Sequence, residues 1–142
     1  MEQTRVSERS IQRAKVSWEQ AQEDLKTAQS YIKTHPDRSS LQSTQAAMNA
    51  LSAVLDAQGH FQLPAYSTNE LLSYCVKIDP LFESLRSPCH VLDSTLERDF
   101  FGKPRSPSVP FTPAFAKACY RAAKTVLEGV QAYRKQHPSS VA

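Results

Sequence analysis

The chain has 142 residues, with 17 Lys and Arg against 14 Asp and Glu, and 40% of its residues are hydrophobic. A chain of this length buries roughly two thirds of the surface that its unfolded form exposes, so a single domain can fold without a metal or a disulfide framework. No apolar run approaches the ~18 residues of a membrane span, and no signal peptide is recognisable, so we expect a soluble cytoplasmic protein.

The cysteines argue against a metal site, and the net charge leaves binding to nucleic acid open. Cys75, Cys89 and Cys119 are widely spaced, with no Cys-x-x-Cys pair and no His at ligand spacing. We therefore expect reduced thiols in the core, no metal site and no cofactor. A net charge of +3 is mild for a nucleic-acid binder, and it allows contact with RNA without requiring it.

Two amphipathic helices are predicted in the first half of the chain. The first covers about residues 8 to 34 and has six apolar residues at spacings of 4, 3, 4, 3 and 4, namely Ala14, Trp18, Ala21, Leu25, Ala28 and Ile32. Ser7 or Ser10 can cap its start, and Pro36 ends it because the residue before a proline avoids the α region. The second helix follows Ser40 and stops at Gly59. Its stripe is rich in alanine, which allows the backbone of a neighbouring helix to approach closely.

Capping residues predict where a third and a last helix begin. Ser67 and Glu70 have the spacing of a capping box, so a third helix starts near Thr68. Thr112 precedes a proline at the first position of the last helix, whose apolar residues repeat every three or four positions until Pro138.

Prolines divide the middle of the chain. Asp79 and Ser87 each precede a proline. An N-cap residue followed by proline at the first helical position is typical of a helix start, so we predict short helices at about 80–86 and 88–101. Residues 102–113 have a proline at every third position and are expected to form an extended, Pro-rich loop.

No segment alternates polar and apolar residues over several positions, so strands are not needed. The pattern predicts an all-α protein, an up-down antiparallel four-helix bundle with additional short helices. We expect one domain over residues 1–142, with its core at about 8–137.

The first two predicted helices resemble the paired signature of HEPN domains. The first reads Trp18-x-x-Ala21-x-x-Asp24-Leu25, and the second runs from Gln45-Ala46-Ala47 through Ala50-Leu51 to Gly59. The similarity continues in order and spacing through the third helix, the Pro-rich loop and the last helix, over about residues 13–135. The resemblance implies a HEPN-like fold.

The same resemblance implies a candidate activity. Many HEPN proteins are metal-independent ribonucleases in which an Arg is followed four to six residues later by a His, at a dimer interface. The His can accept the ribose 2′-hydroxyl proton and the Arg can stabilise charge on the phosphate. This chain lacks that motif, and its nearest approach is Arg86 and His90 with three residues between them. Because Pro88 is expected to break the helix that would align them, they are weak catalytic candidates, and the preferred interpretation is a surface Arg and an ordinary His between two helices.

Other residues are candidates for binding. Lys117, Arg121 and Lys124 lie opposite the apolar stripe of the last helix, where they form either a solvated face or a nucleotide-binding or RNA-binding stripe. If the helices bury their main stripes, the aromatic residues Tyr31, Tyr74 and Phe101 are left over and would form a partner surface.

The leading functional hypothesis is a non-catalytic HEPN-like interaction module. It would act as a homodimer, bind a nucleotide or RNA, or pair with a nucleotidyltransferase-type protein as in toxin–antitoxin systems. The alternative is a divergent metal-independent ribonuclease, the toxin of such a pair, and a third hypothesis is an unrelated helical adaptor or chaperone.

Overall fold

The structure, a computed structural model, describes residues 8–61, 63–96 and 111–137. These residues form five α-helices and no strands. The helices are α1 (Glu8–Tyr31), α2 (Pro36–Ala57), α3 (Thr68–Ile78), α4 (Arg86–Asp93) and α5 (Pro113–Gln136), with 3₁₀ turns at Pro80–Leu85 and Ser94–Leu96. We call Pro80–Leu85 the 3₁₀ segment. None of the described helices is both long and apolar enough to cross a membrane.

Helices α1 and α2 form a closely packed antiparallel pair. Every buried apolar residue of α1 is an alanine, so the two backbones approach without large side chains between them. At one end the Ser39 hydroxyl donates to the carbonyl of Ala28 at 2.6 Å. At the other end the Ser17 hydroxyl donates to Asp56 at 2.7 Å. These two hydrogen bonds fix the register of the pair.

The core lies between α2, α3, α4 and α5. Its largest fully buried apolar side chains are Leu51, Leu72, Leu92, Val54, Val126 and Val130. The three cysteines are free and buried in the same core. Burial raises the pKa of the Cys75 and Cys89 thiols to about 12 and that of Cys119 to about 11, so they act as small apolar residues, as expected.

The all-α prediction is confirmed, and the structure adds the direction of each helix. Tyr133, near the end of α5, accepts a hydrogen bond from Gln58, just after the end of α2. Cys119, near the start of α5, is hydrogen-bonded to Ser40, near the start of α2. Helix α5 therefore runs parallel to α2. Thr44 of α2 and Thr68 at the start of α3 both donate hydrogen bonds to the end of α4, at Leu92 and Asp93. Cys75 of α3 donates to the carbonyl of Leu51, seven residues further along each of the two helices. Helices α2, α3 and α5 therefore run in one direction, and α1 and α4 run in the opposite direction. The up-down order of consecutive helices is thus interrupted between α2 and α3, which are parallel.

Most helix ends agree with their capping signals. Ser67 accepts a hydrogen bond from the backbone of Glu70 at 3.1 Å, and Thr112 accepts one from Phe115 at 3.1 Å. Gly59 has a φ of +82°, the left-handed conformation that follows a helix end and that favours glycine. Asp79 caps the 3₁₀ segment, as its position before a proline predicts.

Two prolines lie in positions that the sequence analysis misjudged. Pro36 both follows α1 and begins α2, so α2 starts several residues before the predicted position and α1 ends at Tyr31. The first helical position suits proline because its missing N–H has no intrahelical partner there. The prediction that Ser87 is an N-cap is also wrong, because α4 already begins at Arg86. Pro88 lies in the first turn of α4, where a missing N–H removes no helical hydrogen bond.

The remaining boundaries of the middle region differ as well. The predicted helix at 80–86 is a 3₁₀ turn, and the one at 88–101 ends at Asp93 before a second 3₁₀ turn, Ser94–Leu96. Residues 97–101 and most of the predicted Pro-rich loop 102–113 lie outside the described residues.

Candidate functional site

Three basic side chains form a row on the outer surface of α5. Lys117, Arg121 and Lys124 are all exposed, and spacings of four and three residues place them on one helix face. None forms an ion pair with another described residue. With five basic residues and one acidic residue, α5 carries a net charge of +4, whereas the whole chain carries +3. We call Lys117, Arg121 and Lys124 the α5 basic face.

The α5 basic face contains one pair that is unfavourable for the helix. Lys117 and Arg121 are like charges at i and i+4, which destabilises a helix by a few tenths of a kcal/mol. Lys124 and Glu128, which is exposed on the same face, are opposite charges at the same spacing. The stability of α5 therefore does not explain the pairing of Lys117 with Arg121.

Several basic residues elsewhere contact other side chains. Cationic groups lie over aromatic rings in four pairs, Arg13 on Phe61 at 4.4 Å, Arg38 on Tyr31 at 4.7 Å, Arg134 on Trp18 at 4.8 Å and Lys77 on Tyr74 at 5.8 Å. The first three contacts join different segments of the chain, whereas Lys77 and Tyr74 both lie in α3. Among the described residues, the side chains of the α5 basic face make no such contact, a property that they share with Lys15, Lys33 and Lys135.

Arg86, the weak catalytic candidate, forms hydrogen bonds with other residues of the chain. Its Nε and Nη2 both donate to the carboxylate of Glu83 at 2.9 Å, which raises the pKa of Arg86 and lowers the pKa of Glu83. Its Nη1 donates to the carbonyl of Asn69 and to the Ser73 hydroxyl, both at 3.1 Å. All three guanidinium nitrogens therefore have protein acceptors, and Arg86 links the 3₁₀ segment and α4 to α3.

A carboxylate from the end of α4 completes this link. Asp93 accepts hydrogen bonds from the backbone N–H groups of Thr68 at 2.7 Å and Asn69 at 2.9 Å, at the N-terminus of α3. A negative charge is favourable there because those N–H groups have no helical partner. The cluster of Asn69, Arg86 and Asp93 thus has a clear structural role.

His90 is exposed and lies one turn after Arg86 in the same helix. The expectation that Pro88 separates the two side chains is wrong, since α4 is continuous through Pro88. His90 can exchange a proton with a ligand, whereas Arg86 would have to leave its present acceptors in order to contact a phosphate.

Comparisons by sequence and by structure differ in outcome. No family model matches the chain, and no curated protein sequence matches it. The crystal structure of ST0689, an archaeal HEPN homologue, matches with a TM-score of 0.68 over 84% of this chain and 96% of that chain, at 20% identity. The chain has a HEPN-like fold. At this identity the likeness establishes the fold, which disfavours an unrelated bundle, and it assigns no activity.

The HEPN-like bundle contains a polar cluster that the sequence analysis did not single out. Asp24 of α1 is only 4% exposed, and its carboxylate accepts from Gln20 at 2.9 Å and from Gln42 and Asn49 of α2 at 2.7 Å each. The available signal was a carboxylate on the flank of an apolar stripe. Because the three donors were scattered over both helices, the sequence did not reveal them.

Two of the three leftover aromatic residues contact other residues of the chain. Tyr31 is half-buried against His35 and Arg38, and Tyr74 donates its hydroxyl proton to the carbonyl of Pro64 at 2.9 Å. Each therefore has local partners, and Phe101 lies outside the described residues. Within the described part of the chain, no group of three or more His, Cys, Asp and Glu side chains is placed to hold a metal ion.

Proposed function

We propose that this protein is a non-catalytic HEPN-like interaction module that acts as a homodimer and binds RNA through the α5 basic face. The observation that carries the proposal is that three exposed cations share one face of α5 without an ion pair among the described residues. By contrast, Arg13, Arg38 and Arg134 lie over aromatic rings and Arg86 binds a carboxylate. The role of Arg86 as a structural link supports the non-catalytic part of the proposal.

The length of the face fits a phosphate backbone. A helix rises about 1.5 Å per residue, so Lys117 and Lys124 are separated by roughly 10 Å along α5, which is enough to contact more than one phosphate. Three neutralised phosphates on a single strand give a slope of log K against log salt of about −2, or roughly a 20-fold loss of affinity between 50 and 200 mM salt.

The test is RNA binding measured by fluorescence anisotropy at several salt concentrations. The triple variant Lys117→Gln, Arg121→Gln, Lys124→Gln should lose most of the affinity and most of the salt slope. A matched control, Arg9→Gln, Lys15→Gln, Lys33→Gln, makes the same change of net charge on exposed residues of α1 and the turn after it. Equal losses in both variants would show that binding follows net charge and not this face.

A free nucleotide is the second ligand that the α5 basic face can take. Competition by a nucleoside triphosphate distinguishes the two, because a site for a nucleotide is saturated by it at concentrations near its own Kd. A contact with a phosphate backbone is released mainly by added salt. We expect added salt to weaken RNA binding more than a nucleoside triphosphate does at the same ionic strength.

A divergent ribonuclease is the alternative function, and one observation favours it. Helix α4 continues through Pro88, so Arg86 and His90 are one turn apart on the same face. Purified protein should be incubated with RNA in the presence of a metal chelator. Cleavage that His90→Ala abolishes and His60→Ala, an exposed loop control, retains would replace the non-catalytic proposal.

The proposal also includes a protein partner. We propose further that the protein acts in the cytoplasm together with a nucleotidyltransferase-type protein, in a toxin–antitoxin pair, as the resemblance to HEPN domains implies. Co-expression with a nucleotidyltransferase encoded next to it should give a complex that survives size-exclusion chromatography. Separate elution of the two proteins would remove this partner and leave RNA binding to its own test.

A further inference from the structure

A tyrosine lies within the α5 basic face. Tyr120 follows Lys117 by three residues and precedes Lys124 by four, so the three positions lie on one side of the helix. At a rise of about 1.5 Å per residue, Tyr120 is roughly 4.5 Å from Lys117 and 6 Å from Lys124 along the helix axis. The α5 basic face is therefore a strip in which an aromatic residue is flanked by cations.

Tyr120 has none of the specific contacts that hold other tyrosines of the chain. Tyr133 is buried and packs against Phe82, with 5.1 Å between the ring centroids, and the Tyr74 hydroxyl donates to the carbonyl of Pro64. Tyr120 is partly exposed, and within the described part of the chain its side chain forms no hydrogen bond, ring contact or cation–π contact. No such contact within the bundle therefore accounts for an aromatic residue at this position.

An aromatic ring between cations suits a nucleic-acid strand whose bases are unpaired. Each base of a strand lies beside the phosphates that join it to its neighbours, so a surface with both kinds of side chain can contact both groups. Proteins bind single strands through base–aromatic stacking together with basic residues along the backbone. Within a duplex the faces of each base are covered by the neighbouring base pairs, so a ring on a protein surface has no base to stack on.

We propose that Tyr120 stacks on an unpaired base of the bound RNA while Lys117 and Lys124 contact the phosphates on either side of that base. This inference rests on the RNA binding of the proposed function, and it assigns the form of the RNA, a single strand, and the residue that selects it. Tyr120 carries no charge, so it adds affinity that salt does not remove, whereas the cations supply the salt-dependent part of the affinity.

The test is fluorescence anisotropy of the full chain with two probes. One is an oligouridine of about 12 nucleotides, and the other is a strand of the same length whose riboses carry no bases. Tyr120→Leu should weaken binding of the oligouridine about 5-fold or more and leave the salt slope unchanged, because a stacking contact is lost and every cation is kept. The same variant should bind the strand without bases as tightly as the wild type does.

Two further variants are controls for the ring and for its position. Tyr120→Phe keeps an aromatic ring and should retain most of the affinity for the oligouridine. Tyr66→Leu changes an exposed tyrosine in the loop before α3, away from the α5 basic face, and should leave binding unchanged. Circular dichroism checks that each variant folds.

The outcomes separate this inference from the proposed function. Equal affinity of the wild type for the two probes, or an equal loss on both probes in Tyr120→Leu, would overturn stacking. Wild-type affinity of Tyr120→Leu for the oligouridine, with binding lost in the triple glutamine variant of the α5 basic face, would overturn stacking and retain RNA binding. A wild-type protein that binds neither probe would overturn both.

Discussion

The charge of Asp24 and the charges of the α5 basic face have opposite environments. Asp24 is 4% exposed and accepts three amide hydrogen bonds from two helices. Lys117, Arg121 and Lys124 are exposed and have no ion pair among the described residues. A buried charge is tolerated only when it is fully hydrogen-bonded, so Asp24 joins α1 to α2. Lys117 and Arg121 repel each other on their own helix, and a ligand is the reason that we propose for this pair.

The largest effect is expected from breaking the buried cluster. Asp24→Ala removes the acceptor of three amide groups and should lower the free energy of unfolding by about 3 kcal/mol, measured by urea denaturation. Asp24→Asn should cost about 1 kcal/mol, because it retains one oxygen for Gln20 and Gln42 while the Asn49 amide can turn over. Glu19→Ala, on the exposed side of α1, is the control and should change little. Equal losses for the three variants would contradict the role of the cluster.

A smaller effect is expected at the second carboxylate between α1 and α2. Burial raises the pKa of Asp56 above its ordinary value of 3.8, although the hydrogen bond from Ser17 and the charge of Arg13 lower it. The folded state therefore binds this proton more tightly than the unfolded state, and stability falls as pH rises through that window. Asp56→Asn should raise stability at pH 7 by less than about 1 kcal/mol, because the charge is partly solvated.

The pH dependence distinguishes this effect from a change in packing. At pH 3, below both pKa values, wild-type Asp56 is protonated in the folded and unfolded states, and the advantage of Asp56→Asn should disappear. Asp37→Asn in the first turn of α2 is the control, and it should lower stability at pH 7 because a negative charge near a helix N-terminus is favourable. A gain from Asp56→Asn that persists at pH 3 would mean that desolvation is not its cause.

The sequence predicted the helices well because their apolar periodicity and caps are local signals. Ser67, Asp79 and Thr112 cap helices as their positions indicate. Pro36 and Pro88 were misjudged because a proline that ends one helix and a proline in the first turn of another have the same local sequence. Only the path of the chain distinguishes the two cases.

The candidate site was only partly predictable. The α5 basic face follows from helical spacing on a single element, and the structure keeps it exposed. The cluster around Asp24 and the acceptors of Arg86 depend on contacts between residues that are far apart in sequence. The close packing of Leu85 against Gly129 likewise joins residues that are far apart in sequence, and no local pattern encodes it.

The smallest expected effect is also the sharpest test of the comparison between Asp24 and α5. Lys117→Glu replaces a like-charge neighbour of Arg121 with an attractive one at i and i+4, so stability should rise by about 0.5 kcal/mol. The same variant should weaken RNA binding several-fold in the anisotropy assay, since it removes one phosphate contact and adds repulsion. Lys33→Glu, in the turn after α1, is the control for binding. A variant that is more stable and binds less would show that the basic residue at this position is kept at the expense of the helix, whereas unchanged RNA binding would leave the α5 basic face as a solvated surface.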